Sequence, residues 1–600
     1  MKTINKKLMV GAAAAAIALG GVGVKTRYFS GDDQIAGAPF LHPLLIARAA
    51  CGEENGELSK RRAFFIRAAS AYAAEMDAPE ADAMLRSDLG AISYDITTAK
   101  PEAQAWFNQG LAHTYNFNHG EAVKAFKRAQ NIDPDCAMCY WGESFAYGPN
   151  INAPMEADAV TPAWNALQKA MSLRSEASAK EQAIINALHY RYSEVQPDDR
   201  SKLDNAFADA MDEVAKKYPE DDFIAALAVE ANMDTQPWDY WADGGRTPKG
   251  RTARSISLLE SVLARSPDWP AAIHLYIHMT EASRDPYRAL EHADRLGALT
   301  PALGHLVHMP SHTYYVTGKF KESLSQNIDA VAADEAYLNS ADASVMYEYG
   351  YFTHNIHFAL TSAQMAGDGA TALAMSKKLD EKLPVEMAAA APFVQPIKAA
   401  PYYAMVQFAS PEEILALESP GDALPFLKAT WHYARGEAYA KMGDAEAAMK
   451  EAEAISAIAA EADLSPLVNG NVPAPQVLDI ARLTVIARAS AAQGDLSSAI
   501  EAMEEATAIQ EDIPYMEPPW WYYPSAQTLA AYLLEDGQTE RAEQLFIETL
   551  TESPNNAWVL YGLAESYKRQ GDKNAAKYAT ALFKDAWIGG RKTYPSLAQL

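Results

Sequence analysis

Cysteine is nearly absent, with three in 600 residues. So few thiols can build neither a disulfide scaffold nor a cysteine-based zinc array. Positive charge is short as well. Fifty-one Lys and Arg stand against 78 Asp and Glu, a formal net charge of −27, and so acidic a chain is repelled by phosphate backbones, which excludes nucleic acid as an expected partner. Beyond residue 24 no run of about 18 uncharged apolar residues occurs, so no later segment is expected to span a membrane. The P-loop, GxGxxG, GxSxG and HExxH patterns are all missing, so no nucleotide cofactor is expected and the familiar serine hydrolases are disfavoured. Apolar residues, by contrast, make up 49% of the chain. That is ample for a core and excludes a disordered polymer. At about 150 residues per domain the length fits about four units or one extended repeat array.

Lys2, Lys6 and Lys7 precede an apolar run from Leu8 to Val24, rich in Ala and Gly. A positive flank before an apolar stretch is the pattern of a secretory signal. No clear Ala-x-Ala site follows, so residues 1–30 are expected to be either a cleaved signal or an uncleaved N-terminal anchor. The lysines hold the N-terminus inside and place the remainder in the periplasm or on the outer face of the inner membrane.

Helix-favouring residues dominate thereafter, and their apolar spacing is helical. From Trp106 the chain places Gly110, Ala122, Phe126, Ala129 and Pro134 in a spacing that resembles the tetratricopeptide repeat, a 34-residue pair of antiparallel helices. Small residues at 110 and 122 allow close helix approach, Phe126 fills the gap between hairpins, and Pro134 stops the second helix. Weaker copies follow at Gly436–Ala448, Ala487–Ala506, Ala530–Pro554 and Ala564–Ala576. Each hairpin leaves an apolar face to its neighbour, so the resemblance implies an all-α superhelical solenoid with a concave inner surface. The expected order is a helical segment over 31–95, repeats with inserted loops over 96–250, a central block over 251–400 and further repeats over 401–600. The proline-rich stretch 384–425 separates the last two.

Seven of the thirteen histidines lie between 274 and 357, in three clusters: His274 and His278 with Glu281; His305, His308 and His312; His354 and His357. Residues three and four apart share one face of a helix. His274 to His308 and His278 to His312 are each 34 residues, one repeat length. In the repeat register these positions belong to first helices, which line the concave groove in tetratricopeptide proteins. The resemblance therefore implies that three consecutive helices present imidazoles to one space. Imidazole is the commonest protein metal ligand. Seven histidines and one glutamate exceed what one tetrahedral ion needs, so one or two ions are expected. Copper comes first, with zinc or iron after, since a di-iron site would use more carboxylates. His274, His278, His308 and His312, two copies of HxxxH, are the leading ligands. Tyr314 and Asn355 are candidate supports for the ligands. The block HLYIHMTEAS, GHLVHMPSHTYYVTGKFKES and YFTHNIHF, with CAMCYWGESFAYGPNINAPM at 136–155, resembles a family of exported bacterial tetratricopeptide proteins. The resemblance carries no catalytic assignment.

Cys136 and Cys139 form a CxxC at a junction between repeats. In an exported chain a local disulfide is expected, with a metal-binding or redox pair and free buried thiols as alternatives. No His follows, so this is not a haem attachment site. Cys51 has no evident partner. His113 and His119 sit where the repeat usually has Tyr and are expected in the core. The run YMEPPWWYYP at 515–524, with Glu517, Trp520 and Trp521, either walls one end of a pocket or packs between repeats. PWDYW at 237–241 is a candidate lid. Two functions follow. The first is an exported metalloprotein: an oxidoreductase on a small substrate, or a metal store or carrier. The second is an adaptor whose groove binds a protein or peptide partner.

Overall fold

The computed structural model describes residues 84–600 except 156, 198 and 342. The expected signal or anchor, most of the N-terminal segment and Cys51 lie outside the described residues. Residues 84–100, the described end of the segment expected to be helical, contain no helix. They run extended along the helix Pro101–Tyr115, because side chains of that helix satisfy their backbone: Gln109, Asn108 and Gln104 accept from the N–H groups of Arg86, Tyr94 and Ile96. No described helix is long and apolar enough to cross a membrane.

From Pro101 onward the fold is all-α, as the repeat spacing predicts, with a single two-residue antiparallel pairing of Trp241–Ala242 and Thr247–Pro248. Successive helices pair as antiparallel hairpins. The first, Pro101–Tyr115 with His119–Ile132, shows why the small residues recur. A Cβ on Gly110 would stand 2.5 Å from the Phe126 ring, and one on Gly142 of the next helix, Ala137–Ala146, 2.4 Å from it. One phenyl ring is thus gripped by two glycines from consecutive hairpins. Gly142→Ala is expected to force that ring off its rotamer and destabilise the chain by about 1–3 kcal/mol, read as a lower denaturation midpoint. Gly562 meets Phe546 in the same way near the C-terminus.

Seven hairpin turns use a left-handed residue where the first helix ends. Gly318, Gly367, Gly443, Gly494, Gly537 and Gly571 hold that place with φ between 70° and 84°. The next N–H bonds back five residues, as Asp368 to Ala363 and Asp495 to Ser490, which satisfies the orphan carbonyls. In the first hairpin the place belongs to Phe117, at φ 54°.

The insertion at 233–252 forms the short β pairing, and Trp241 donates to Met279 O (2.8 Å) at the end of the helix Pro270–Thr280. The stretch 384–425 does not break the solenoid. It forms the helices Val385–Ala390, Gln395–Phe408 and Pro411–Leu415; Pro396 and Pro411 stand in first turns, where the missing N–H costs nothing, while Pro401 lies inside the second helix. The C-terminal repeats return to the central block. Trp558 Nε1 donates to Gln364 O (2.8 Å), Ile588 N donates to Ala366 O (2.8 Å), and Trp587 packs on Gly367.

One buried charge cluster sets a pH dependence. Arg191 bridges Asp234 (2.8 Å) and the carbonyl of Pro149 (2.6 Å), pinning the loop after Ala146. Glu230 lies in the same pocket, facing Asp234, Arg191 and Tyr115. Burial, then the Asp234 charge, pushes its carboxyl up to about 8 from 4.5. One guanidinium cannot neutralise two buried carboxylates, so the folded chain keeps a proton that the unfolded chain loses. The associated stability is present below about pH 4.5 and is lost as pH rises through 8. Glu230→Gln is expected to flatten this slope, with an effect on the order of a few kcal/mol between the two limits, measured by denaturation midpoints from pH 5 to 9.

Candidate metal centre

The helix Pro270–Thr280 carries His274 and His278 one turn apart, with Glu281 just past its end. The next first helix comes in two pieces, Gly304–His308 and Pro310–Val316, because Pro310 lacks an N–H. It still turns His305, His308 and His312 to one side. The third, Thr353–Met365, follows a π-helical turn at Tyr347–Phe352 and carries His354 and His357. Such turns are rare and cluster at functional sites.

The imidazoles gather into two triads, His274–His278–His305 and His308–His312–His354, and within each the nearest ligand atoms all lie within 4.8 Å of one another. The triads adjoin: the His278 and His312 ring centres are 5.5 Å apart, those of His305 and His308 6.0 Å. His354 is half-buried and the other five are buried.

The outer ring nitrogens decide what the inner ones can do. Glu281 Oε1 accepts from His278 Nδ1 (2.9 Å) and its Oε2 from His312 Nδ1 (2.5 Å). Asn327 Oδ1 accepts from His308 Nδ1 (2.6 Å), and the amide is held in that orientation because its Nδ2 donates to Ser311 Oγ and Ser323 O (both 2.7 Å). A neutral imidazole that donates from Nδ1 has only a lone pair at Nε2. Two such lone pairs, on His278 and His308, therefore point inward, joined by that of His312 when its ring is neutral. His308 Nε2 and His312 Nε2 are 2.9 Å apart, and His278 Nε2 is buried with no hydrogen-bond partner among the described residues. His274 Nε2 and His305 Nε2 face each other at 3.2 Å. Nitrogens about 3.3 Å apart are what a tetrahedral ion with bonds near 2.0 Å requires.

Burial, reinforced by the neighbouring imidazoles, drives His274, His305, His308 and His354 well below their ordinary range. They are neutral, the form that binds a metal. Burial also opposes charge on His312, but the Glu281 carboxylate, its hydrogen bond and the Glu517 charge outweigh it and raise this one ring. Burial likewise resists ionisation of Glu281, yet His312 and His278 together hold it down at about 2. The cavity thus holds the Glu281 carboxylate beside neutral imidazoles and the one ring, His312, whose charged form that carboxylate favours.

Aromatic rings enclose the first triad. Phe117 lies against His274 (4.7 Å) and His305 (5.0 Å), Trp238 against His278 (5.1 Å) and Tyr351 against His305 (5.0 Å). Asn152 ties two of these together, accepting from Trp238 Nε1 (3.1 Å) and reaching the Tyr351 hydroxyl (3.5 Å). Phe117 and Trp238, at φ 54° and 64°, are both in the left-handed region, a conformation that non-glycine residues hold only where packing over-determines it. Phe358 serves the second triad, 4.9 Å from His308 and 5.1 Å from His312.

The remaining candidates divide. His357 joins neither triad; its Nε2 pairs with the Tyr522 hydroxyl (2.7 Å). Glu281 sits among the imidazoles, with both oxygens committed to Nδ1 atoms. Tyr314 bonds Asp294 (2.8 Å), away from the rings, and Asn355 donates to Asp334 (2.7 Å). The Asp334 carboxyl also accepts from Tyr347 (2.7 Å), and burial pushes it up to about 7. From the run 515–524, Glu517 is buried within electrostatic reach of His312, and Tyr522 meets His357. Trp521 packs instead among Tyr403, Tyr433 and Tyr523, and Trp520 is half-buried. Cys136 and Cys139 form a disulfide at the start of the helix Ala137–Ala146. His113 and His119 are core residues, the latter paired with Asn150 Nδ2 (3.3 Å). Asn327, Phe117, Phe358 and Tyr522 were not singled out from the sequence. The turn register would have flagged Phe117, which stands where other copies have Gly.

Two family profiles described as tetratricopeptide repeat match the chain, at residues 103–136 and 533–578. The chain carries tetratricopeptide repeats. Both matched segments are helical hairpins with the Gly–Phe contact described above. Among solved structures, similarity is found to the APC/C hetero-tetramer Cut9-Hcn1, with 13% identity, 84% of this chain and 77% of that chain covered, and a TM-score of 0.28. It is also found to the human IFIT1 dimer with PPP-AAAA, with 14% identity, coverages of 82% and 96%, and a TM-score of 0.29. For yeast Tom70 the identity is 11%, the coverages 81% and 90%, and the TM-score 0.27. We take neither partner nor ligand from likenesses this low. No curated protein matches the chain.

Proposed function

We propose that this chain is a metalloprotein that holds one ion in each histidine triad, copper first and zinc or iron after. The observation that carries the reading is the commitment of three Nδ1 protons to Glu281 and Asn327, which leaves the Nε2 atoms of His278, His308 and His312 facing the two adjoining triads. Lone pairs forced together without a proton repel, and a cation relieves that repulsion. Imidazole-rich, thiolate-free ligation suits copper, which also stands highest in the general affinity order. Bound ions would supply Lewis-acid or electron-transfer chemistry. The protein's own part is to orient the rings, hold a dry aromatic wall and leave His354 as the approach for a small substrate. An oxidoreductase on a small substrate is the activity we infer. Storage or delivery would use the same ligands and differ only in lacking turnover. The Lys-flanked apolar run and the Cys136–Cys139 disulfide support export, since disulfides persist in oxidising compartments.

Elemental analysis of the purified chain tests the reading. About two equivalents of metal are expected per chain. Substituting His274 and His305 by Ala, or His308 and His312 by Ala, should each remove one equivalent while helical circular dichroism is kept. Double variants that retain full metal content would overturn it. The tetratricopeptide repeats at residues 103–136 and 533–578 support a second reading, an adaptor that binds a protein or peptide partner.

A further inference from the structure

The two triads are continuous. Within the first, ring centres stand 4.9, 5.0 and 6.2 Å apart, and within the second 4.8, 4.8 and 5.9 Å. Across the boundary the His278–His312 and His305–His308 spacings are 5.5 and 6.0 Å, inside the same range. Neighbouring imidazoles are therefore as close between the sets as within them. Glu281 joins the sets from behind, with one oxygen on an Nδ1 of each. Ions held by two sets packed in this way are neighbours.

Each set offers three nitrogens, and a four-coordinate ion with three protein ligands keeps one position open. Two neighbouring ions with open positions are a clamp for one small molecule. The enclosure limits what that molecule is. Five of the six rings are buried, and Phe117, Trp238 and Phe358 stand against them, so a guest that reaches the ions is small and crosses apolar surface. An anion taken up from water would have to shed its hydration in a buried site, at a cost that an uncharged guest escapes. Copper, the ion favoured by these thiolate-free imidazoles, exchanges single electrons. Dioxygen fits every limit: it is diatomic, uncharged and apolar, and it accepts two electrons, one from each ion.

We propose that the six imidazoles hold a coupled pair of coppers that takes up dioxygen between them. This rests on the metal reading above and names the electron acceptor of the oxidoreductase inferred there. Each cuprous ion gives one electron and becomes cupric. Dioxygen takes both electrons to the peroxide level and binds both ions; copper–oxygen bonds form, the O–O bond weakens to a single bond without breaking, and no proton moves. The electrons stay among the ions and the oxygen, so the summed charge of the centre is the same before and after. That invariance matters where burial makes new charge costly.

The test uses the purified full chain, stripped with a chelator and reloaded under argon with about two equivalents of cuprous copper, the content checked by elemental analysis. On admission of air an oxygen electrode should record about one dioxygen consumed per two coppers. The oxygenated sample should show almost no cupric paramagnetic resonance, because two bridged cupric spins pair, and acid denaturation should release the full signal of both coppers. His308→Ala combined with His312→Ala leaves one copper; stoichiometric uptake should be lost, and any copper that air oxidises should show its full resonance in the folded chain. Two retained coppers that give full, separate cupric signals in air, or that stay cuprous without uptake, overturn the dioxygen assignment and leave the metal reading standing. A chain that retains no copper ends both.

Discussion

Glu281→Gln is expected to weaken metal binding in both triads at once, by about 10- to 100-fold at each. Among the described residues the carboxylate alone is hydrogen-bonded to a ligand of each set, His278 of the first and His312 of the second. An amide keeps the shape but offers only one acceptor oxygen. One imidazole must then meet an NH2 group, turn over or lose its tautomer. The charge is lost as well, and with it the main support for a cation in a buried, otherwise neutral site. Asn327→Ala is the control: it touches His308 alone and should weaken only the second triad. Competition titration with a chelator, following both equivalents, separates the two patterns. If Glu281→Gln affected one equivalent only, the two triads would not share their support, and the coupled centre would reduce to two independent sites.

Phe117→Gly should speed metal exchange from the first triad by about tenfold or more, the scale of losses seen when groups around a metal are disturbed. The second triad should keep its rate. Six other hairpins place Gly at this turn, and here a phenylalanine accepts a left-handed backbone to press its ring on His274 and His305. Glycine would relieve about 1–2 kcal/mol of backbone strain. It would also lose about 2–3 kcal/mol of ring burial. Net stability should therefore fall only slightly, while water gains entry. Stopped-flow mixing with a coloured chelator reads the exchange rate, and a thermal melt reads the stability. Unchanged exchange kinetics would mean that the ring packs the core without guarding the ions.

The sequence determined much of this by period alone. A 34-residue repeat with a small residue at Gly110 and an aromatic at Phe126 allows one architecture, because only antiparallel hairpins bury that pattern on their neighbours. The 34-residue offset between the two HxxxH pairs also placed four imidazoles on equivalent faces of adjacent hairpins, and the structure divides them between two adjoining triads, His274 and His278 in one, His308 and His312 in the other. Period gives a face, however, and never a partner. His354 and His357 are equivalent by spacing, yet one joins a triad and the other is taken by Tyr522, which arrives from a loop 165 residues on. Glu281 was legible as a member of the cluster, but its bonds to two different helices were not.

Asn327 and Asn355 show the same division from the other side. Asn355 adjoins His354 in the sequence, whereas Asn327 stands 19 residues from the His308 it supports. Which one supports a ring depends on the crossing of the helix Phe320–Leu338 behind His308, and on Asp334 claiming Asn355 first. Local chemistry and repeat length decided which elements form and which way their imidazoles look. Only the packing of hairpins far apart in the chain decided which nitrogen keeps its proton and which is left open, since a hydrogen-bond partner is a matter of distance in space, and distance along the chain does not fix it.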